Sequence, residues 1–306
     1  MTSASAELFD QHRSFLWGLL FRMTGCAADA DDLLQETFVR LLEKGPADDG
    51  RAIRPWLVRV AMNLAHDLLR RRRRSPYVGP WLPSPVSTGG DAERIDAVEA
   101  VASGISTEGR YDLVESMSMA FLVALEALTP RQRAVLLLRD VFDYSVRETA
   151  AVLGASEGGI KVAHLRARRA MLAYDGSRHP SIAEARDQAR TALWDFTQAL
   201  MSGDLARMEG LLADGCRAMS DGGGEFYAAL NPIVGGTSVA RFYHGIFVKF
   251  GGVPNATAIE VGGMPALLVD IPGRGSDRFH IDESRVARRF VIQADVAKDG
   301  RITRLY

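Results

Sequence analysis

The sequence predicts a multi-domain chain in which two all-α domains precede an α+β domain. Three observations predict it. Residues 7–74 carry apolar stripes at helical spacing. Residues 128–172 read as a helix, a tight glycine turn and a basic helix. From Ser181 onward, helical stretches give way to short β-branched runs punctuated by Gly and Pro. The length of 306 residues is enough for two or three separate cores, and 47% hydrophobic with 25% charged residues is a globular composition. No apolar run approaches the ~20 residues of a membrane span. The N-terminus lacks the basic and apolar blocks of a signal peptide, so a cytoplasmic protein is expected. Cys26 and Cys216 lie far apart without metal-ligand spacing, so neither a disulfide framework nor a metal site is expected.

In the first segment Leu8, Phe15, Leu16, Leu19, Leu20 and Met23 mark one stripe, and Gly25 is its stop. A second helix opens on Asp29, Asp31 and Asp32, turns Leu33, Leu34, Phe38, Leu41 and Leu42 inward, and presents Asp32, Gln35, Glu36 and Arg40 outward. In the third, IRPWLVRVAMNLAHDLLRRRRR, the expected core is Ile53, Leu57, Val60, Ala61, Leu64 and Leu68. Arg59, Asn63, His66 and Arg70 share the opposite face. Such a mixture of guanidinium, amide and imidazole groups suits phosphates and base edges, and Trp56 is placed to stack on an unpaired base.

The net charge of −1 hides a strong asymmetry: the acidic DADDLLQE stretch is followed by Arg51, Arg54, Arg59 and Arg70 to Arg74, and a second basic cluster comprises Lys161, Arg166, Arg168 and Arg169. Two basic elements joined by a linker are what a protein gripping a polyanion at two places needs. Taken singly, each run also fits a solvated helix face.

DADDLLQETFVRLL followed by PWLVRVAMNLAHDLLRR resembles domain 2 of bacterial RNA polymerase sigma factors of the extracytoplasmic-function group. The resemblance implies that Asp32, Gln35 and Glu36 dock on the β′ clamp helices. It also implies that Trp56, Arg59, Asn63, His66 and Arg70 engage the minus-ten element as single strand, Asn63 helping to hold a flipped-out base.

In the second motif Thr129 is placed to cap a helix begun by Pro130. Val146, Ala150, Val152 and Leu153 belong to a short helix closed by Gly154, and Ser156 caps the next. This helix-turn-helix is similar to sigma domain 4, the reader of the minus-thirty-five element. The similarity makes Lys161, Val162, Leu165 and Arg166 the residues facing DNA, with Arg168 and Arg169 nearer the phosphates. Ala163 and His164 stand where many relatives carry a bulky apolar residue.

The intervening RRRRRSPYVGPWLPSPVSTGG runs from charge into a stiff apolar connector, in which Tyr77, Trp81 and Leu82 favour burial and the prolines limit the entropy lost on docking. The C-terminal part offers a helix with Ala185, Ala189, Leu193, Phe196 and Leu200, a helical SVARFYHGIFVKF, and strand-like TAIEVGG, PALLVDI, ARRFVIQADV and ITRLY. Helices before a strand meander argue an α+β domain.

This part resembles the SnoaL-like cone, and with YVGPWLPSP and SDGGG it points to the sigma factors carrying that extension. Ser84 replaces the Glu usual in the relatives' connector. The domains expected are then 1–75 (sigma domain 2), 76–112 (linker), 113–175 (sigma domain 4) and 181–306 (the cone). The expected function is promoter recognition, modulated by the fused cone through Tyr77, Trp81, Leu82 and Asp221. Core RNA polymerase (β′ clamp helices and β subunit) and promoter DNA are the expected partners, with a small ligand of the cone a further candidate; no membrane partner and no cofactor are expected.

Cone folds also catalyse, with acids and histidines, and Asp221, Tyr227, His244, Asp270 and His280 are available. No pairing among them is visible, and Asp221 before three glycines reads as a turn whose carboxylate takes backbone N–H groups. The chain is expected not to be an enzyme. The alternatives are a cone-fold isomerase or cyclase fused to a DNA-binding module, and a repressor-like regulator using the helix-turn-helix alone.

Overall fold

The computed structural model describes residues 3–46, 53–72, 77, 79–88, 110–179, 181–250, 255–271 and 283–306. Arg51, Arg73, Arg74, Val78, His280 and most of the linker lie outside the described residues. The chain divides into two compact units, one of 1–76 with 90–176 and one of 77–89 with 177–306.

In the first unit, α1 (Ser3–Thr24), α2 (Ala27–Lys44) and α3 (Ile53–Arg72) form a helical bundle. Leu16, Leu19, Leu20 and Met23 of α1 are fully buried, and Gly25, at φ 66°, ends that helix. α2 buries Ala30, Leu33, Leu34, Thr37 and Phe38. Leu42, expected inward, is 60% exposed, because the helix's last turn extends past the bundle's apolar contact. The buried stripe of α3 is also wider than the expected one. Val58, Met62, Ala65 and Leu69 join Ile53, Leu57 and Ala61, whereas Val60, Leu64 and Leu68 are only half-buried. A helix packed by other helices on more than one side needs such a stripe.

The rest of this unit is the helix-turn-helix region. A short 3₁₀ turn (Glu115–Met117) leads to α4 (Met119–Ala124), and α5 (Pro130–Leu136) runs into a π turn (Leu137–Val141). α6 (Val146–Leu153) and α7 (Glu157–Ala170) follow, then α8 (Leu172–Ser177). Reciprocal capping boxes start two of these: Thr129 with Gln132, and Ser145 with Glu148. Gly154 takes the left-handed conformation (φ 58°) that closes α6, and Ser156 accepts from the Gly159 N–H at 3.2 Å to start α7. Val135, Ala150, Ile160 and Ala163 make the small core of the motif.

The second unit has α9 (Ile182–Met201), α10 (Leu205–Leu211) and α11 (Gly236–Phe250) with a six-stranded sheet. Its strands are β1 (Leu212–Ala218), β2 (Ile233–Val234), β3 (Asn255–Val261), β4 (Met264–Asp270), β5 (Arg289–Val296) and β6 (Ile302–Leu305), in the order β2-β1-β6-β5-β4-β3. β3 to β6 form the expected meander, and β1, LADGCRA, is a further strand with little β-branched character. It pairs in parallel with β6, making the sheet mixed, and is held by burial of Leu212, Cys216 and Ala218. Leu193, Phe196 and Ala199 of α9 pack with Val239, Leu267, Val269, Ile302 and Leu305 into one core.

Candidate nucleic-acid interface

On α2, Asp32, Gln35 and Glu36 all face solvent, and Arg40 Nε donates to Glu36 at 2.9 Å. A cleft between α2 and α3 has the half-buried Leu64 and Leu68 on its floor and a mixed-charge rim, Asp32 and Glu36 standing beside Arg40 and Arg71.

On α3, Arg59, Asn63 and Arg70 are exposed, and Trp56 and His66 half-buried. Arg59 is already engaged: its Nη2 donates at 2.5 Å to the carbonyl of Ala151, in the last turn of α6. Arg54 lies over the Phe15 ring at 4.4 Å. The basic face of the bundle is thus partly turned toward the helix-turn-helix.

Two buried arginines reinforce the same junction. Arg22, 1% exposed, donates from Nε to Ser116 Oγ (2.7 Å), from Nη1 to Gly18 O (2.8 Å) and from Nη2 to Leu113 O (2.9 Å). Burial lowers its pKa to about 9. Arg133 reaches the other way, donating to Met23 O (2.8 Å), Leu125 O (2.9 Å) and Glu126 (2.5 Å). Sequence reasoning passed over both. The available signal was a lone Arg inside an apolar run, LLFRM and QRAVLLL, since a buried charge requires partners.

Along α7, Lys161, Val162, Leu165, Arg166 and Arg169 face solvent, with Val162 49% and Leu165 53% exposed. Arg168 departs from this set. With His164 it binds Asp140, a carboxylate 2% exposed in the π turn.

The connector belongs to the second unit. Asp221 Oδ2 accepts the Leu82 N–H at 2.8 Å, and Oδ1 accepts both the Tyr77 hydroxyl and the Gly223 N–H, the latter at 2.8 Å. Gly222 has no room for a side chain, because a Cβ there would lie 2.2 Å from the Phe226 carbonyl oxygen. Further along, Ser87 bridges Val261, Gly262 N–H donates to Val86 O at 3.0 Å, and Thr88 bonds Glu260, which also pairs with Arg186. Trp81 and Leu82 are half-buried and Tyr77 is 45% exposed, while Pro83 and Val86 are buried.

Residues 8–75 match the family model Sigma-70 region 2, and residues 118–171 match Sigma-70, region 4. Over 306 residues the chain is 31% identical to the ECF RNA polymerase sigma factor SigJ of Mycobacterium tuberculosis, covering 97% of this chain and 89% of that protein. The chain belongs to the ECF RNA polymerase sigma factors. Sigma factor SigG of M. tuberculosis is 36% identical over 170 residues, covering 52% of this chain and 45% of its own length. The crystal structure of M. tuberculosis SigJ aligns with a TM-score of 0.70 at 26% identity, over 98% of this chain and 94% of that one. The two helical sigma regions and the α+β C-terminal part are therefore shared with a relative along almost the whole length. Among the described residues, no helix is long and apolar enough to cross a membrane.

Three of the five residues offered for catalysis in this sigma factor are engaged locally. Asp221 holds the connector, and Asp270 accepts from Arg289 Nε at 2.6 Å. Tyr227 lies beneath the Arg285 guanidinium at 4.9 Å.

Proposed function

We propose that this sigma factor brings core RNA polymerase to its promoters through three surfaces, each on a separate helix. The exposed Asp32, Gln35 and Glu36 of α2 dock on the β′ clamp helices. The α3 face of Trp56, Arg59, Asn63, His66 and Arg70 takes the minus-ten strand once it is unpaired, where an extruded base costs least to hold. The α7 face of Lys161, Val162, Leu165, Arg166 and Arg169 enters the major groove at the minus-thirty-five element. There the cations suit guanine edges and the two apolar side chains suit thymine methyls. The polymerase supplies the chemistry. In domain terms residues 1–75 and 113–175 recognise the promoter, and residues 181–306 regulate.

The observation that carries the regulatory part is the grip of Asp221 on Tyr77 and Leu82. Residues 77–89 of the connector between the two sigma regions are thereby bound into the C-terminal unit, so a ligand or partner that favours their release shifts the separation of the two regions. The experiment is reconstitution of the full chain with core polymerase and transcription from genomic fragments. Start sites dependent on the chain, lost with Asn63→Ala and Arg166→Ala, are the expected result. Failure to bind core polymerase overturns the proposal.

A further inference from the structure

The buried face of α7 is formed by Ile160, Ala163 and Ala167. Two of these three are alanines, which interlock weakly and allow a helix to turn about its axis at little packing cost. A helix that reads base edges cannot tolerate this, since successive residues are about 100° apart and a fraction of that angle moves a side chain off its base.

Asp140 supplies what the alanines lack. Its Oδ1 lies 2.8 Å from His164 Nε2 and 2.7 Å from Arg168 Nη2, and its Oδ2 accepts from Arg168 Nε at 3.0 Å. His164 and Arg168 are four residues apart, so they stack on one side of α7. The two-pronged arginine contact fixes direction as well as distance. Burial raises the Asp140 carboxyl, but the bonds from His164 and Arg168 outweigh it and the net shift is downward, which keeps it ionised. Any rotation of α7 that withdraws Arg168 leaves a buried carboxylate short of its partner, a heavily penalised state. The Asp140 carbonyl also accepts the Tyr111 N–H at 3.0 Å, so the same residue ties the segment entering region 4. A π turn, often found at functional positions, is where Asp140 sits.

We infer that Asp140 is a positioning residue for promoter recognition, setting the rotation of α7 through His164 and Arg168, and that Arg168 acts inside the protein and not on a DNA phosphate. This rests on the reading of α7 as the minus-thirty-five helix.

The test uses holoenzyme made from the full chain and core polymerase, with upstream duplexes selected by the wild type from a randomised pool. Affinity for selected and for random duplex is measured across a salt series for Asp140→Asn, Arg168→Gln and Arg169→Gln. A residue neutralising a phosphate changes the salt slope by about one. A residue that aims other side chains changes the preference for selected sequence.

Arg168→Gln and Asp140→Asn are expected each to reduce that preference by about tenfold with the slope retained. Their combination should be no worse than either alone, because both break one cluster. Arg169→Gln should lower the slope. His164→Gln, which keeps a donor toward Asp140, should retain more preference than His164→Leu. If Asp140→Asn fails to fold, Arg168→Gln, on a side chain 43% exposed, carries the comparison. A slope reduced by about one in Arg168→Gln with preference intact overturns the inference. Preference untouched by Lys161→Ala and Arg166→Ala overturns instead the reading of α7 on which it rests.

Discussion

Arg59, on the face of α3 offered to the minus-ten strand, donates instead to the carbonyl of Ala151 in the first helix of the helix-turn-helix. That carbonyl lies in the last turn of α6, where helix carbonyls lack intrahelical partners and a cation is favoured. One side chain therefore has two uses that exclude each other, because a guanidinium bound to Ala151 is not available to DNA. Arg59→Ala should weaken the contact between regions 2 and 4 by up to about 1 kcal/mol. Amide exchange in the last turn of α6 should rise several-fold. The same variant should open promoters less well, and unchanged exchange would remove Arg59 from the junction.

Arg22 and Arg133 hold that junction from its interior. Replacing Arg22 with Met keeps much of the volume but removes its bonds to Ser116 Oγ, Gly18 O and Leu113 O, leaving the Ser116 hydroxyl bonded to Leu113 O at 2.7 Å as the remaining side-chain link there. Charge-assisted bonds of this sort contribute about 1.5–3 kcal/mol each when a partner is removed, with losses that do not simply add. Arg22→Met and Arg133→Met are each expected to lower the stability of the first unit by about 2–4 kcal/mol, read from denaturant unfolding. A change within about 0.5 kcal/mol, as at ordinary surface sites, would contradict the role.

The fold was legible where pattern alone decides it. The period of α1 to α3, the caps at Thr129, Ser145 and Ser156, and the glycine at 154 are local signals. What escaped was non-local. β1 is a strand because β6 lies beside it, which no feature of LADGCRA announces. The width of the α3 stripe depends on a second neighbour, α6. Asp140 shows the same limit at the candidate site: RARR reads as one basic cluster, and only the buried carboxylate separates Arg168 from Arg166 and Arg169. The charged Arg139-Asp140 pair within the apolar VLLLRDVF run was the available sign.

Docking on the polymerase is tested through α2. Asp32 and Glu36 are exposed, and Glu36 pairs with Arg40 at 2.9 Å within one surface turn. Reversing both charges to Lys should leave unfolding within about 1 kcal/mol of wild type, since exposed pairs contribute little. Holoenzyme formation should fall at least tenfold at low salt, with part of that difference lost as salt screens the contact. Core binding equal to wild type in gel filtration or titration would dismiss α2 as the docking helix.

The connector gives the last prediction, and its chemistry fixes both a variant series and a pH dependence. Asp221 accepts from the Tyr77 hydroxyl, the Leu82 N–H and the Gly223 N–H, so Asp221→Ala removes the grip and loosens the turn together, whereas Tyr77→Phe removes one bond only. Trp81→Ala removes half-buried apolar surface without touching those bonds. Limited proteolysis of the 75–110 segment should accelerate in the order Tyr77→Phe, Trp81→Ala, Asp221→Ala. Burial and the bond to Asp221 push the Tyr77 hydroxyl from 10.0 up to about 12. A value raised on docking means that the neutral phenol is the form that holds. The Tyr77 contribution is therefore complete below pH 10 and is lost as pH rises toward and through 12. Burial also raises Tyr111, Tyr144, Tyr243 and Tyr306, so the Tyr77 titration is read as the difference in phenolate absorbance between wild type and Tyr77→Phe. In the Asp221→Ala background that difference should move back toward the ordinary value. Promoter-dependent transcription should change in Asp221→Ala with core binding retained, because the connector and its turn belong to the second unit, apart from the α2 face offered to the polymerase. Wild-type transcription in Asp221→Ala, together with an unaltered cleavage rate in the connector, would remove the C-terminal unit from the control of this sigma factor.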